Sequence, residues 1–278
     1  MSDDTEQRQA ADGSGEAPTA ARIGSIHPLP EAVGEDTRRR GVYLLPNLIT
    51  SGGLFAGFYA MVASANGNFV AACLAIIAAL VLDTADGRVA RFTRTESEFG
   101  AQYDSLSDMA AFGVAPGLLV YFYTLNSVGQ LGWAATFIYM ACAALRLARF
   151  NTDSNLASFT GLASPAAAML IACSIWLVSE SYPAAATSPM LPAAFAVLTI
   201  VVALLMVSPL TYFSPKSLAL GRRVPFIVLV AVVVVLALIL SEPPLVLLLM
   251  FACYALSAPL VYGARALVDA LRRNRSES

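Results

Sequence analysis

The chain has 278 residues, of which 58% are hydrophobic and only 13% are charged, and its mean hydropathy is +0.68. A soluble domain cannot bury so much apolar side chain, so this composition excludes an ordinary globular fold and predicts a polytopic membrane protein. The net charge of −2 says little about partners because the charges are segregated along the chain, and no nucleic-acid partner is expected.

Residues 1–40 are polar and acidic and contain no apolar run. This composition predicts a disordered tail rather than a signal peptide, because a signal peptide needs an apolar core near its start. We expect the membrane domain to cover residues 41–268, followed by a short basic tail at 269–278.

Eight apolar segments follow the tail, and each is close to the roughly 20 residues that a helix needs to cross a bilayer. Such long, continuously apolar runs form helices, because backbone groups in lipid must satisfy their hydrogen bonds within the segment. The sequence therefore predicts an all-α bundle of eight transmembrane helices, near residues 43–63, 68–92, 100–124, 131–150, 162–180, 189–212, 224–241 and 244–266.

The basic residues predict the orientation of these helices. All 17 Lys and Arg residues lie in the N-terminal tail or at 88–94, 146–149, 216–223 and 265–275. The intervening connectors, near 64–67, 125–130, 181–188 and 242–243, contain none. Because positive charge stays on the cytoplasmic side, both termini and every basic loop are expected to be cytoplasmic, an N-in/C-in topology.

The side chains that commonly bind zinc are poorly placed for a metal site. The four cysteines (Cys73, Cys142, Cys173 and Cys253) lie in apolar runs without a metal-ligand spacing, so we expect buried structural thiols. His27 is the only histidine and lies in the tail. This excludes a histidine base or a histidine metal site within the membrane.

Four aspartates stand out against this apolar background. Asp83 and Asp86 are three residues apart on the second predicted helix, and Asp104 and Asp108 are four apart on the third. Each pair therefore shares one helix face. The link between the two faces is short, so the helices are expected to be antiparallel neighbours with all four carboxylates just below the cytoplasmic surface.

Four carboxylates in a half-buried site repel one another unless a cation or protons lie among them. Oxygen ligands without histidine or cysteine suit Mg²⁺, Mn²⁺ or Ca²⁺ rather than zinc. Two alternatives remain at this point. The aspartates could pair with Arg88, Arg91 and Arg94 at a solvated helix end, or they could form an ion or proton pathway.

The spacing of these residues resembles a known signature. The run Asp83-x2-Asp86-Gly87-x2-Ala90-Arg91-x8-Gly100-x3-Asp104-x3-Asp108 is similar at every position to the motif of the CDP-alcohol phosphatidyltransferase family. The resemblance implies that an alcohol hydroxyl displaces CMP from a CDP-linked lipid. It also implies two divalent ions, Mg²⁺ or Mn²⁺, held by the four aspartates, with Asp108 serving in addition as proton acceptor.

The same resemblance implies a nucleotide site. Gly87, Arg91 and Ser97 match positions that hold the CDP moiety, and Pro46-Asn47-Leu48-Ile49-Thr50 resembles a first-helix segment whose polar side chains face the nucleotide. The small residues between the aspartates leave space for it. The implied residues binding CDP-diacylglycerol are Asn47, Thr50, Gly87, Ala90, Arg91, Ser97 and Gly100.

Three further stretches, residues 144–151, 161–168 and 205–216, resemble bacterial integral-membrane phosphatidylserine synthases, apart from Ala163, where that subfamily pattern has proline. This resemblance implies CDP-diacylglycerol and L-serine as substrates, a homodimer, and a bacterial cytoplasmic membrane with the site facing the cytoplasm. Arg146, Arg149 and Asn151 are the candidates for binding serine or a lipid phosphate.

Several alternatives stay open. The arginines at 146 and 149 could act only as cytoplasmic anchors of their helix. The acceptor could be glycerol phosphate, inositol phosphate or choline instead of serine. From a different functional class, the aspartates could form the ion site of a cation transporter.

Overall fold

In a computed structural model of the chain, the structure describes residues 33–95, 97–152, 160–186, 188–212 and 226–276. Every regular element in these ranges is a helix, and one isolated antiparallel bridge joins Thr160 to Thr211. The helices are α1 (Val33–Ala65), α2 (Phe69–Thr93), α3 (Glu98–Asp108), α4 (Ala115–Tyr123), α5 (Gln130–Thr152), α6 (Ser164–Ser181), α7 (Pro183–Ala186), α8 (Leu191–Val207), α9 (Phe226–Ser241) and α10 (Pro243–Ser276). A π-helical turn (Met109–Val114) connects α3 to α4, and a 3₁₀ turn (Leu125–Val128) follows α4.

The prediction of an apolar helical bundle is confirmed. Among the described residues, six helical stretches are long and apolar enough to cross a membrane: Leu44–Ala65, Phe69–Thr93, Glu98–Tyr123, Gln130–Thr152, Ser164–Ser181 and Pro243–Ala264. The shorter apolar helices α8 and α9 lie at the other two predicted spans. The chain is therefore an integral membrane protein, and the count of eight transmembrane helices stays a prediction.

Helix α6 forms the centre of the bundle. It packs against α2, α4, α8 and α10, and most of its side chains between Ala166 and Trp176 are buried. Its many alanines allow neighbouring helices to approach closely, which is how helices associate in lipid. In contrast, no residue of α9 is buried, and α9 packs against α10.

Two helices extend beyond their predicted ends. Helix α1 begins at Val33, inside the segment predicted to be a disordered tail. Helix α10 continues to Ser276, because no glycine or proline follows Gly263 to end it.

Two expectations need correction. Helix α8 ends at Val207 rather than near 212, because Ser208 precedes Pro209 and is extended (φ −60°, ψ 150°), as a residue before proline prefers. Cys253 is exposed on α10, whereas Cys73 and Cys173 are buried as expected and Cys142 is half-buried. An exposed thiol on an apolar helix is compatible with a lipid-facing position.

Candidate functional site

The aspartates of α2 and α3 meet in the structure. Asp83, Asp104 and Asp108 each place one carboxylate oxygen so that the three oxygens lie within 4.8 Å of one another. All three residues are half-buried. Helix α1 packs against both α2 and α3, and together with the short link between them it holds the two aspartate-bearing segments close.

A tight connection between α2 and α3 produces this geometry. Arg94 adopts a left-handed conformation (φ 53°) at the C-cap of α2, and the Thr95 amide donates to the Ala90 carbonyl at 3.1 Å. Ser97 then caps α3, its Oγ accepting a hydrogen bond from the Gly100 amide at 3.0 Å. Capping by a serine fixes where the helix begins, and therefore fixes the depth of the α3 aspartates.

Thr50 of α1 connects all three helices. Its single hydroxyl hydrogen is shared between two acceptors, because Oγ1 lies 2.7 Å from Asp86 Oδ2 and 3.0 Å from the Pro46 carbonyl oxygen. The Ser107 hydroxyl of α3 donates to the Thr50 carbonyl at 3.2 Å. Thr50, Asp86 and Ser107 are all buried. Asp86 therefore faces a fixed donor, a role for Thr50 that the sequence motif did not reveal, and Ser107 was not predicted at all.

The three clustered aspartates fit a divalent cation. Their donors are all oxygens, the ligand type that Mg²⁺ and Mn²⁺ prefer. Asp104 Oδ1 is buried and has no hydrogen-bond partner among the described residues, so this carboxylate has an unused ligand atom. Asp86 is outside the group of three, and its role as a metal ligand stays a prediction.

A polar cleft adjoins the aspartates. All seven residues predicted to bind the CDP-linked lipid line it, together with two of the aspartates and three residues not predicted. In chain order the lining is Pro46, Asn47, Thr50, Asp86, Gly87, Ala90, Arg91, Thr95, Ser97, Gly100, Ala101 and Asp104. The three unpredicted residues, Pro46, Thr95 and Ala101, neighbour motif positions in sequence or along a helix face. Arg88, Arg91 and Arg94 are exposed, and Arg91 borders the cleft.

Gly100 lines this cleft at a position where a side chain would be crowded. A Cβ at Gly100 would lie 3.0 Å from Ser97 Oγ and 3.4 Å from Asn47 Oδ1. The approach to Ser97 Oγ is tight enough to shift that hydroxyl, which lines the cleft. Gly87 is less crowded, since its nearest neighbour would be an Arg91 guanidinium nitrogen at 3.7 Å.

The residues predicted to bind the acceptor contact different neighbours. Arg146 Nη1 donates to Ser164 Oγ at 2.6 Å, and Arg146 Nε is buried with no partner in the described part of the chain. Asn151 forms a hydrogen bond with Ser105 at 3.1 Å, which connects the end of α5 to α3. Arg149 is exposed. Arg146 is thus the inward-facing member of the predicted set.

Ser164 reaches Arg146 because two loops pair beside it. The Gly161 amide donates to Leu210 O at 2.8 Å, and the Leu162 amide donates to Leu205 O at 2.9 Å. Gly161 has φ +83°, and a Cβ there would lie 2.2 Å from the Met206 carbonyl oxygen. The stretch 161–168 was singled out by the sequence, but the contact between Ser164 and Arg146 was not. Lys216, Arg222 and Arg223 lie outside the described residues.

The fold and the site together define an integral membrane helical bundle with an acidic, oxygen-rich site beside a polar cleft. The model of the CDP-alcohol phosphatidyltransferase family matches residues 43–207, which is more than half of the 278 residues. The chain belongs to this family, and the resemblance seen in its aspartate motif is confirmed.

Several curated relatives carry one name, CDP-diacylglycerol–serine O-phosphatidyltransferase. A Helicobacter pylori (strain 26695) protein of this name is 38% identical over 192 residues, which is 68% of this chain and 80% of the relative. A Mycobacterium tuberculosis (strain H37Rv) protein is 37% identical over 147 residues, 49% of this chain and 51% of the relative. A Bacillus subtilis (strain 168) protein is 34% identical over 128 residues, 46% of this chain and 72% of the relative.

Proposed function

We propose that the chain transfers the phosphatidyl group of CDP-diacylglycerol to the hydroxyl of L-serine, giving phosphatidylserine and CMP. The observation that carries the proposal is the contact between the aspartate cluster and a cleft lined by every predicted nucleotide residue. The names of the relatives support serine as the acceptor. This function requires a cation site, a nucleotide site and an acceptor site close together.

The cleft is proposed to hold the CDP moiety. Asn47 and Thr50 provide polar groups on one side, and the exposed Arg91 provides a positive charge for the pyrophosphate. Gly87, Ala90 and Gly100 leave room for the nucleotide to lie against the helix backbones, and Ser97 borders the cleft at the start of α3. The lipid tails would remain in the bilayer while the nucleotide enters from water.

Asp83, Asp86, Asp104 and Asp108 are proposed to hold two Mg²⁺ or Mn²⁺ ions. Three of these carboxylates lie together, and Asp104 Oδ1 has no hydrogen-bond partner among the described residues. Bound divalent ions would neutralise the negative charge of the pyrophosphate as the phosphoryl group is transferred.

Asp108 is proposed to accept the proton of the serine hydroxyl. The hydroxyl oxygen forms a bond to the phosphorus that carries the diacylglycerol, the bond from that phosphorus to the oxygen of CMP breaks, and the proton passes to the Asp108 carboxylate. A hydroxyl is a poor nucleophile until its proton is removed, so a carboxylate within reach is needed.

Arg146 is proposed to bind the serine carboxylate or the lipid phosphate. Its guanidinium is held by Ser164 through Nη1, and its buried Nε has no partner among the described residues. A buried donor without a partner is costly, so an anion that accepts from Nε would be favoured. Arg149 and Asn151, at the end of α5, are proposed to border the acceptor-binding side of the site.

We further propose eight transmembrane helices with both termini and the site on the cytoplasmic side of a bacterial inner membrane, and a homodimer as the assembly. The membrane domain would span 41–268 between two cytoplasmic tails. Single cysteines at the exposed positions Asn66 and Glu98, in a background without the native cysteines, test the topology. An impermeant maleimide should label Asn66→Cys in intact cells and Glu98→Cys only after lysis; the reverse pattern would invert the topology.

The function itself is tested with the purified protein in proteoliposomes containing CDP-diacylglycerol and Mg²⁺ or Mn²⁺. CMP release should require L-serine and should be accompanied by an equal amount of phosphatidylserine. Release that requires glycerol phosphate, inositol phosphate or choline would replace the acceptor. Divalent-cation flux without CMP release would support the transporter.

A further inference from the structure

The helix that carries Asp104 and Asp108 changes its winding directly after Asp108. Residues Met109–Val114 form a π-helical turn, in which the Ala115 amide donates to the Ala110 carbonyl five residues earlier. Such turns are rare and occur frequently at functional sites. The motif of the family ends at Asp108, so the turn lies just outside it.

The turn has a sequence cause. In a regular α-helix the carbonyl of Phe112 would accept from the amide of residue 116, but Pro116 has no amide hydrogen, and its ring crowds that carbonyl. A π turn accommodates one extra residue, which rotates the following helix by roughly 100° relative to the preceding one. The aspartates of α3 can then face α2 while Ala115 and Leu119 of α4 remain in the core.

A tyrosine from α5 donates to this carbonyl. The Tyr139 hydroxyl donates to the Phe112 carbonyl at 2.9 Å, and Tyr139 is fully buried. An unpaired buried carbonyl is unfavourable, so this hydrogen bond stabilises the widened turn specifically. One turn further along α5, the Ala143 methyl group would lie 3.3 Å from a Cβ built at Gly113.

Helix α1 holds the opposite side of the turn. A Cβ at Gly57 would lie only 2.7 Å from the Ala111 Cα and 3.2 Å from the Ala111 amide nitrogen. The backbones of α1 and the turn are therefore in direct contact, which only glycine allows at this position. The turn is clamped between Gly57 and Tyr139.

We propose that Tyr139 is a positioning residue for Asp108: its hydrogen bond to Phe112 holds the π turn, and the turn sets the direction in which the Asp108 carboxylate points. The inference rests on the proposed role of Asp108 as proton acceptor. Tyr139 touches neither the polar cleft nor the clustered carboxylates, so its effect should appear in turnover rather than in substrate affinity.

The test compares Tyr139→Phe with Tyr212→Phe in proteoliposomes. Both tyrosines are buried and donate to a backbone carbonyl, and Tyr212 donates to Ala255 at 3.0 Å. Tyr139→Phe should lower kcat about tenfold or more, as expected for a misdirected general base, with the KM values for serine and CDP-diacylglycerol within about twofold of wild type. Tyr212→Phe should lose comparable thermal stability and keep its kcat.

An equal kcat in Tyr139→Phe and wild type would overturn the inference, as would an equal loss in both variants or a loss confined to KM. If Tyr139→Phe does not fold, Gly57→Ala takes its place, since it displaces the turn from the other side and should also lower kcat selectively. Failure of the proposed function would look different, because the wild-type protein would then release no CMP in response to serine.

Discussion

The hydrogen bond between Thr50 and Asp86 provides a sharp test of how the site is built. Thr50→Val keeps the shape of the side chain and removes the hydroxyl that donates to Asp86 Oδ2 at 2.7 Å. Because Asp86 is buried at 4% exposure, its carboxylate would be left without this donor. We expect the carboxylate to lose its fixed orientation toward the cleft.

The magnitude follows from the kind of bond that is lost. A hydrogen bond to a charged group contributes about 1.5–3 kcal/mol. If that energy orients Asp86 in the reacting complex, kcat/KM should fall roughly 10- to 100-fold, because each ~1.4 kcal/mol corresponds to a factor of ten. Thr50→Ser keeps the hydroxyl and should retain most of the activity.

Thr199→Val is the matched control. Thr199 is fully buried on α8, and its hydroxyl donates to the carbonyl of Phe195, four residues earlier, at 2.7 Å. Thr50 has the same kind of bond to Pro46, but the partner described for Thr199 is this carbonyl alone and includes no carboxylate. Initial rates of serine-dependent CMP release would be measured for all variants alongside thermal unfolding. If Thr50→Val turns over as fast as Thr199→Val, the orientation of Asp86 by Thr50 has no catalytic value.

Three other predictions concern the loops, the proton acceptor and the cations. Gly161→Ala should lower the unfolding temperature well below that of Gly67→Ala, because both glycines have positive φ but only the Cβ at Gly161 would meet a carbonyl oxygen, whereas a Cβ at Gly67 would have no neighbour within 4 Å among the described residues; equal unfolding temperatures would contradict this. Asp108→Asn should reduce turnover by roughly 10²-fold or more while binding of CDP-diacylglycerol, measured by calorimetry in detergent, persists; near-normal turnover would remove Asp108 from the proton-acceptor role. Chelation by EDTA should abolish CMP release, and Mg²⁺ or Mn²⁺ should restore it; undiminished release in EDTA would argue against a cation site.

The features that depend only on residues close together in the sequence, namely the helices and their polar faces, were predictable. The apolar runs located the helices, and the three- and four-residue spacing of Asp83, Asp86, Asp104 and Asp108 identified two helix faces. The small residues between them indicated where a cleft would lie. Each of these signals is local, because helix geometry alone relates the positions.

The features that depend on contacts between distant segments were not predictable in this way. Ser164 lies 18 residues from Arg146 in sequence, and its contact depends on the pairing of two loops around Gly161. Tyr139 lies 27 residues from Phe112 and reads in the sequence as one more aromatic residue in an apolar helix. The early end of α8 could have been predicted, since a proline at position 209 disfavours a helical conformation of Ser208.

The central claim is that the serine hydroxyl itself attacks the phosphatidyl phosphorus at the aspartate site. It is tested most directly by supplying L-serine whose hydroxyl carries a heavy oxygen isotope and analysing both products by mass spectrometry. The label should be retained in phosphatidylserine and absent from CMP, and Asp108→Asn should form neither product at an appreciable rate. Unlabelled phosphatidylserine, or CMP released without any labelled lipid, would contradict it.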